Sequence, residues 1–543
     1  MSKTLTYRHL NGCESFDIVA ETYSCVIRRR GGAHALHFFT KGSKLPDLVL
    51  KPDAGVDSQP GKYKLLTHIG SFSGSVDVLE LTYENENLIQ TTIRLYPDRV
   101  EMTASYTQEE AIEFENFYLG RGSLLYTDEV FTPSVLGSFP SICHYYHPDE
   151  EVILEPGLMS PPPWCFSAKQ ANGHWMGFAL EPWEDQLDFT SFCSSPGIGR
   201  EYCWKINYRN SAVPRTEYTT PALVFRFDMP DEFCVLKAHL QTLLETGKVK
   251  LPERTIPEWQ YGVSACGWRW QHSQNENCNQ ALYEQYLQQM EQYGLDCDTM
   301  IIDDFWGNTA THGIWKSDES RWPDLRGFID KQHEKDRHVL LWVCTLAKGL
   351  PANECRGRMH DIESDAWKER LREDARRMLS DEEGCYNADG IKFDFTLWFP
   401  KAVPGDRFRG VGYIRERFRL IYEAFTAVKP DAMIVCQSTN PYFIPYQTVV
   451  RLNDFFALPE RGLEEMRIRS NVAKAIGCGL PIDTDHTSFS TLSYKGGYDF
   501  YREMDTMGTV SLYLNEEDLT DPEFCDILKD QIDRNLKRQK KDT

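Results

Sequence analysis

The second half of the chain alternates between short apolar runs and amphipathic runs, and this alternation constrains the fold more than any other feature. Eight strand-like runs follow one another after residue 255, and most precede a run with helical periodicity. They read YGVSACGW, CDTMIIDDFW, HVLLWVCTL, ADGIKFDF, DAMIVCQST, VVRLNDFF, GLPIDTDH and TVSLYL. This pattern predicts a (β/α)8 barrel, called a TIM barrel. A doubly wound sheet is the alternative, but it usually has fewer strands and a glycine-rich phosphate turn, which the sequence lacks.

The first half has a different pattern. Segments such as SVDVLELTYENENLIQTTIRLY and PALVFRFDM alternate apolar and polar residues, and turn residues separate them. This predicts a multidomain β plus α/β chain that starts with an antiparallel β-sandwich. We expect the sandwich in residues 1–230, a linking helix and linker in 231–254, and the catalytic barrel in 255–543.

Charge and composition exclude several classes of function. The net charge of −22 disfavours binding to nucleic acid or to an anionic membrane, because both would be repelled. The chain has no apolar run of membrane-spanning length, and its start lacks an apolar signal core, so a cytoplasmic location is expected. The 16 cysteines are scattered without zinc-type spacing, which predicts free thiols and neither metal nor cofactor. A homo-oligomer is left open.

The ends of the predicted strands carry most of the chemistry, since active sites of TIM barrels lie at the carboxyl ends of the strands. Acids there often cap the next helix, but capping does not explain the tryptophans beside them. Carboxylates accept hydrogen bonds from sugar hydroxyls, and indole rings cover the apolar faces of sugars. The pattern therefore predicts a carbohydrate site, with these residues as candidates: Trp268, Asp303, Asp304, Trp306, Trp342, Lys392, Asp394, Cys436, Arg451, Asp454 and Asp485.

Two of these carboxylates are candidates for glycoside hydrolysis, which typically uses a pair of acids. Asp394 ends the fourth strand-like run and Asp454 ends the sixth. Lys392 lies two residues before Asp394, so both side chains share one face of the strand, and the cation favours an ionised nucleophile. Phe455 and Phe456 could form an apolar wall that raises the pKa of Asp454, whereas Arg451 argues against this. Asp389, on the other face, is predicted to be structural.

The barrel half resembles glycoside hydrolase family 36, in the branch of raffinose synthases and alkaline α-galactosidases. MIIDDFW is similar to that branch's strand-2 motif, DGIKFDF to its Lys-x-Asp motif, VVRLNDFF to its strand-6 motif and LPIDTDHTSF to its strand-7 motif. The resemblance implies a covalent nucleophile at Asp394, a general acid/base at Asp454 and sugar-binding carboxylates at Asp303 and Asp304. It further implies sugar contacts from Lys392 and Arg451 and pocket walls from Trp342 and Cys436.

These features together predict a retaining α-glycoside hydrolase, most simply an α-galactosidase, acting on an oligosaccharide or another α-glycoside by double displacement. A transglycosylase of the raffinose synthase type would use the same residues, because acceptor choice depends on loops. An α-glycosidase for a different sugar and a sugar-binding barrel without catalysis are further alternatives.

Overall fold

The computed structural model describes most of the chain. The described residues are 4–9, 16–30, 33–57, 63–65, 73–124, 127–133, 144–156, 161–197, 201–274, 278–308, 312–396, 398–452, 462–485 and 495–542.

The first half consists of short antiparallel strands. Their bounds are β1 Leu5–His9, β2 Phe16–Val19, β3 Tyr23–Arg30, β4 Ala33–Thr40, β5 Leu48–Lys51, β6 Gly55–Val56, β7 Tyr63–Leu65, β8 Ser73–Val76, β9 Leu79–Asn85, β10 Gln90–Leu95, β11 Arg99–Ile112, β12 Asn116–Leu124, β13 Thr127–Phe131, β14 Tyr145–Tyr146, β15 Val152–Leu154, β16 Cys165–Gln170, β17 Trp175–Glu181, β18 Ser191–Pro196, β19 Glu201–Asn207, β20 Arg215–Thr219 and β21 Ala222–Met229. In the described part they form two sheets. One runs β15-β18-β19-β12-β5-β4-β3-β2-β1-β8 with β6 beside β12, and the other β14-β13-β16-β17-β21-β11-β10-β9-β7 with β20 beside β11.

Apolar side chains from both sheets share one large core. Along β9 the buried residues alternate with more exposed ones, which is the pattern of a strand with one solvent-exposed face. Phe178 of β17 stacks on Trp204 of β19, with ring centroids 5.8 Å apart. A side chain at Gly122 would lie 2.5 Å from the Trp204 ring, so glycine is needed where β12 passes beneath this indole. The antiparallel β-structure predicted for the first half is confirmed.

A single helix leads from the sheets to the barrel. Helix α1, Glu232–Glu245, starts at Asp231, whose carboxylate accepts a hydrogen bond from the Cys234 N–H (2.6 Å). Gly247 follows the helix with φ +73°, a left-handed conformation that suits glycine and ends the helix. The domain boundaries at residues 230 and 254 stay a prediction.

The second half forms a parallel barrel. Its strands are β22 Ser264–Cys266, β23 Thr299–Ile302, β24 His338–Cys344, β27 Gly390–Asp394, β28 Met433–Cys436, β29 Val449–Arg451, β30 Ile482–Asp483 and β31 Ser511–Leu512; a small hairpin, β25 Cys355–Arg356 and β26 Met359–His360, lies between β24 and β27. The helices are α2 Trp268–Ser273, α3 Gln280–Gln292, α4 Leu325–His333, α5 Asp365–Leu379, α6 Gly410–Val428, α7 Gly462–Ile476, α8 Lys495–Met507, α9 Glu516–Thr520 and α10 Pro522–Asp542. All eight barrel strands lie within the eight predicted runs, so the predicted barrel is confirmed. The connection 437–448 is short and contains a 3₁₀ turn at Ile444–Tyr446, where Pro445 disfavours a longer helix.

The barrel closes between β30 and β31 with fewer main-chain contacts than elsewhere. The strand order β30-β29-β28-β27-β24-β23-β22-β31 is paired at every step, whereas one isolated bridge, Asp483 to Thr509, joins its two ends in the described part of the chain. Side chains add to this junction. Thr484 Oγ1 donates to the Thr509 carbonyl (2.7 Å), and the Ser511 hydroxyl donates to Asp483.

The sheets and the barrel are joined by buried polar contacts. His144, beside β14, contacts Glu465 of α7 (Nε2 to Oε1, 2.8 Å), and Arg469 Nε donates to the same oxygen (2.8 Å). Tyr442 donates its hydroxyl hydrogen to the Pro182 carbonyl (2.6 Å), and Asn440 Nδ2 donates to the Pro162 carbonyl (2.7 Å). The helices in the described ranges include none that is long and apolar enough to cross a membrane.

Candidate active site

Asp394 lies at the end of β27, at the carboxyl-end mouth of the barrel, and is 6% exposed. Its Oδ1 accepts hydrogen bonds from Gln437 Nε2 (3.1 Å) and from the Phe395 N–H (2.9 Å), and Arg451 Nη1 lies 3.4 Å away. Its Oδ2 accepts a hydrogen bond from Trp342 Nε1 (3.1 Å). Burial raises the pKa of Asp394, but Arg451 and Lys392 outweigh burial and hold the pKa below its usual value. The carboxylate is therefore kept ionised.

Lys392 lies on the same strand, two residues earlier, and is 2% exposed. Its ammonium donates to Asp303 Oδ2 (2.7 Å) and lies 3.7 Å from Asp485 Oδ2. Burial lowers the pKa of Lys392, and the charge of Asp303 outweighs it, so the lysine stays charged. The alternation of the strand thus places Lys392 and Asp394 on the barrel side, while Phe393 packs on Phe418 of α6 (5.3 Å).

Asp485, after β30, connects the two cations of the site. It is fully buried and pairs with Arg451 through Nε, and with Lys392. Asp483 precedes it, and burial together with the charge of Asp485 raises the pKa of Asp483 to about 6. The predicted residues Asp303, Lys392, Asp394, Arg451 and Asp485 are thereby brought together in one buried network.

Asp304 lies beside this network in a more exposed position. Its Oδ1 accepts a hydrogen bond from the Phe305 N–H (2.6 Å) and lies 3.5 Å from His312 Nε2. Burial, followed by the charges of Asp303 and Asp394, raises the pKa of Asp304 to about 7. Asp303 forms a salt bridge with Lys392 and accepts a hydrogen bond from Cys266 Sγ (3.0 Å). The two adjacent carboxylates thus differ in exposure and in their hydrogen-bonding partners.

The predicted aromatic residues take different places. Trp342 contacts Asp394 directly, whereas Trp306 is buried and donates Nε1–H to the Trp342 carbonyl (2.7 Å), so it supports Trp342 from behind. Trp268 starts α2 and stacks on Phe305 with centroids 6.1 Å apart. Cys436 is fully buried at the end of β28 and packs in the core.

Asp454 lies outside the described residues, so its place and its predicted role as acid/base stay a prediction. Two further residues belong to the network although the sequence did not single them out. Gln437 bridges Asp394 and Arg451, accepting from Arg451 Nη1 at 3.0 Å. Tyr513 follows β31, and Lys392 Nζ lies 3.4 Å from its hydroxyl. The sequence feature that could have indicated these two residues is their position directly after the runs that form β28 and β31.

Comparison with known proteins matches part of the barrel to a different family from the one its motifs resemble. Residues 253–388 match the model of the glycosyl hydrolases family 31 TIM-barrel domain. No curated protein matches the chain. The resemblance to family 36 is therefore wrong. The acids and aromatics at the strand ends show where a barrel binds its ligand, but this pattern does not distinguish one sugar-cleaving family from another.

Solved structures share the fold at low sequence identity. A sulfoquinovosidase from E. rectale has a TM-score of 0.58 at 12% identity, covering 96% of this chain and 82% of that chain. An α-xylosidase from a soil metagenome has a TM-score of 0.57 at 10% identity, covering 99% and 84%. An α-galactosidase from Thermus thermophilus has a TM-score of 0.52 at 13% identity, covering 79% and 97%. The chain is a glycoside hydrolase, with a TIM-barrel segment that matches family 31.

Proposed function

We propose that the chain is a retaining α-glycoside hydrolase in which Asp394 forms a covalent bond to the sugar. The observation that carries the proposal is the hydrogen-bonding of this carboxylate. Three donors, from Gln437, Phe395 and Arg451, face Oδ1, whereas among the described residues Trp342 is the donor to Oδ2. Oδ2 therefore keeps a lone pair available, and it is the atom that we expect to attack the anomeric carbon.

The charge of the site supports the same chemistry. In the described network, the cations Lys392 and Arg451 face three carboxylates, Asp303, Asp394 and Asp485. The excess of negative charge favours a positively charged, oxocarbenium-like transition state over the neutral substrate. In the first step Oδ2 bonds to the anomeric carbon and the leaving oxygen takes a proton from an acid, for which Asp454 is the candidate. In the second step water, deprotonated by the same residue, breaks the ester and restores the α configuration.

We further propose an α-galactoside as the substrate. A sulfonated sugar such as that of the E. rectale neighbour would need an unneutralised cation, and both Lys392 and Arg451 are held by carboxylates. A neutral sugar fits these neighbours better, and the Thermus thermophilus α-galactosidase supplies a precedent on the same fold. A panel of aryl α-galactoside, α-glucoside, α-xyloside and α-sulfoquinovoside tests this choice by kcat/KM. A higher value for any other member would replace the galactoside.

Substitution of the nucleophile tests the mechanism. Asp394→Ala should lower kcat on the best aryl α-glycoside by about 10³-fold or more, since the covalent step is lost. Azide should restore part of the turnover by entering the space of the carboxylate, giving the β-glycosyl azide. NMR of the wild-type reaction should show the α-anomer first.

Asp526→Asn is the control, because Asp526 is an 80% exposed carboxylate on α10 and should leave kcat unchanged. Near wild-type turnover by Asp394→Ala, or a β-anomer as the first product of the wild type, would overturn the assignment.

A further inference from the structure

A second cleft lies where the β-sheets meet the barrel, and its lining shares no residue with the network around Asp394. It has a volume of about 700 Å³. One wall comes from the segment between β17 and β18, and the other from the start of α6. The residues that line it are Trp183, Glu184, Asp185, Gln186, Leu187, Asp188, Arg407, Phe408, Arg409 and Gly412.

A neighbouring cavity shares part of the lining of the cleft. A space of about 310 Å³ is lined by Arg407 and Phe408 as well, together with residues of α5 and α6 and the segment before α5. The two spaces therefore share this pair of residues as a common wall.

An exposed indole forms part of the first wall. Trp183 is 49% exposed, which is unusual for the largest apolar side chain, and Lys248 lies 5.8 Å from its ring. Phe408 belongs to the opposite wall. Aromatic rings accessible on the wall of a cleft offer faces on which a flat ligand can stack.

Polar groups lie in the same walls. Asp188 Oδ2 accepts from Arg215 Nη2 (2.7 Å) and from Arg409 Nη2 (3.3 Å). Its other oxygen, Oδ1, and the Nε of Arg409 are buried, and neither has a hydrogen-bond partner among the described residues. Buried polar atoms without partners are costly, so this polar wall is held at an energetic cost beside the cleft.

The floor of the cleft is rigid. The N–H groups of Val411 and Gly412 donate to the carbonyls of Phe189 (2.8 Å) and Leu187 (2.6 Å). A side chain at Gly412 would lie 2.8 Å from the Leu187 oxygen, so the two backbones approach as closely as glycine permits. Glu363 accepts from the N–H of both Arg407 and Phe408 (3.0 Å each) and fixes the second wall. The cleft is thus formed before a ligand binds.

Charge selects the kind of ligand. Three carboxylates, at residues 184, 185 and 188, and two arginines, at residues 407 and 409, line the cleft, so it is nearly balanced. The whole chain carries −22, which repels anionic polymers. Neither a phosphate-bearing ligand nor a strongly cationic one is favoured, whereas a neutral ligand with many hydroxyls can use both the acids and the arginines.

We propose that this cleft is an accessory binding site for a neutral oligosaccharide, distinct from the catalytic mouth, with Trp183 as the stacking platform. The proposal deepens the proposed function, because it concerns the same class of substrate. Binding there would hold a long α-glycoside on the enzyme while its end is cleaved, and would not affect a substrate of one sugar ring.

Calorimetric titration of the full chain tests the proposal. The Asp394→Asn protein is titrated with stachyose, isomaltotetraose and maltotetraose. For at least one of these tetrasaccharides we expect two binding sites per chain, and one site when Trp183→Ala is added. Trp183→Phe should keep two sites with a weaker second one, because a smaller ring still stacks. On an aryl monosaccharide substrate, Trp183→Ala in the otherwise wild-type chain should keep kcat/KM within about twofold.

The outcomes are separable. The proposal is overturned by one site in both proteins, by two sites in both, or by a fall in monosaccharide activity parallel to the loss of binding. Turnover of the aryl glycoside by Asp394→Asn would count against the proposed function only, since the effect of Trp183 is read as a difference between two proteins with the same Asp394 substitution.

Discussion

At the scale of single residues, the site is organised by the hydrogen bonds of one carboxylate. Burial raises the pKa of Asp394, and the cations Arg451 and Lys392 together with the Trp342 N–H outweigh burial and lower it. Phe395, whose N–H also bonds Asp394, has φ +49°, a strained conformation for a non-glycine residue. The strain places an N–H donor under the carboxylate instead of letting the strand continue.

Removing the Trp342 hydrogen bond should change the pH dependence of the reaction. Trp342→Phe leaves an aromatic ring but loses the donor to Asp394 Oδ2. A hydrogen bond to a charged group contributes about 1.5–3 kcal/mol, so the pKa of Asp394 should rise by about one pH unit or more. Because the nucleophile must be ionised, activity is present above that pKa, and the acid limb of kcat/KM should move to higher pH.

Trp306→Phe is the matched control for this measurement. It removes a donor to the Trp342 carbonyl without touching Asp394, so it should leave the acid limb in place. An unchanged acid limb in Trp342→Phe would contradict the role given to its indole.

At the scale of elements, helix α6 carries an unusual buried charge. Arg417 is fully buried, and its three guanidinium nitrogens have no hydrogen-bond partner among the described residues. It lies 5.2 Å from the Tyr413 ring, and burial lowers its pKa. A charge in this position costs more than the ring contact returns.

Replacing this arginine should stabilise the protein. Arg417→Met keeps a long flexible chain and removes the charge, so the free energy of unfolding should rise by about 1 kcal/mol, read as a higher urea midpoint at unchanged slope. The opposite result is expected for Arg451→Met. That change leaves Asp485 and Asp394 without their nearest cation and should cost about 3 kcal/mol. A lower midpoint for Arg417→Met would mean that the buried guanidinium stabilises the fold.

The elements also show how far the sequence could be read. The barrel strands were predictable because buried parallel strands are apolar runs that end in polar residues, and β23, β24 and β27 all have this form. The pairing of Lys392 with Asp394 on one face followed from the period of a strand. Gln437 could not be selected, because an amide after a strand is common and its role depends on Arg451 from the next strand. The family could not be read either, since short acidic and aromatic motifs recur among barrels.

At the scale of the whole molecule, the sheets and the barrel depend on each other through buried charge. Burial raises the pKa of Glu465, but His144 and Arg469 outweigh burial and lower the pKa to about 2. His144 belongs to the sheets and Glu465 to the barrel helix α7, so this contact lies across the interface between the sheets and the barrel.

The stability of the interface between the sheets and the barrel should therefore depend on acid. The folded-state pKa of Glu465 lies below its unfolded value of 4.5, so its contribution is present above about pH 4.5 and is lost as pH falls towards 2. The contribution of Glu465 to the free energy of unfolding is on the order of 3 kcal/mol at neutral pH. Glu465→Gln should lower the free energy of unfolding at pH 7, and the difference from wild type should shrink as the pH approaches 2.

The control pair joins the same helix, α7, to α8. Arg467 contacts Glu503 at 2.6 Å in an exposed position, so Glu503→Gln should cost less than about 1 kcal/mol. If urea titrations gave equal losses in the free energy of unfolding for the two substitutions, burial between the sheets and the barrel would not explain the contribution of Glu465.

The closure of the barrel has a mechanical consequence. Main-chain ladders join the strands at every step from β30 round to β31, while the last junction rests on one bridge and a few hydroxyls in the described part of the chain. The ring is therefore most compliant at this junction. Asp483 forms the bridge, Asp485 follows it, and Asp485 holds Arg451, which faces Asp394. Any widening of the ring is thus transmitted to the nucleophile in three contacts, so the circumference of the barrel and the reactivity of its centre are coupled.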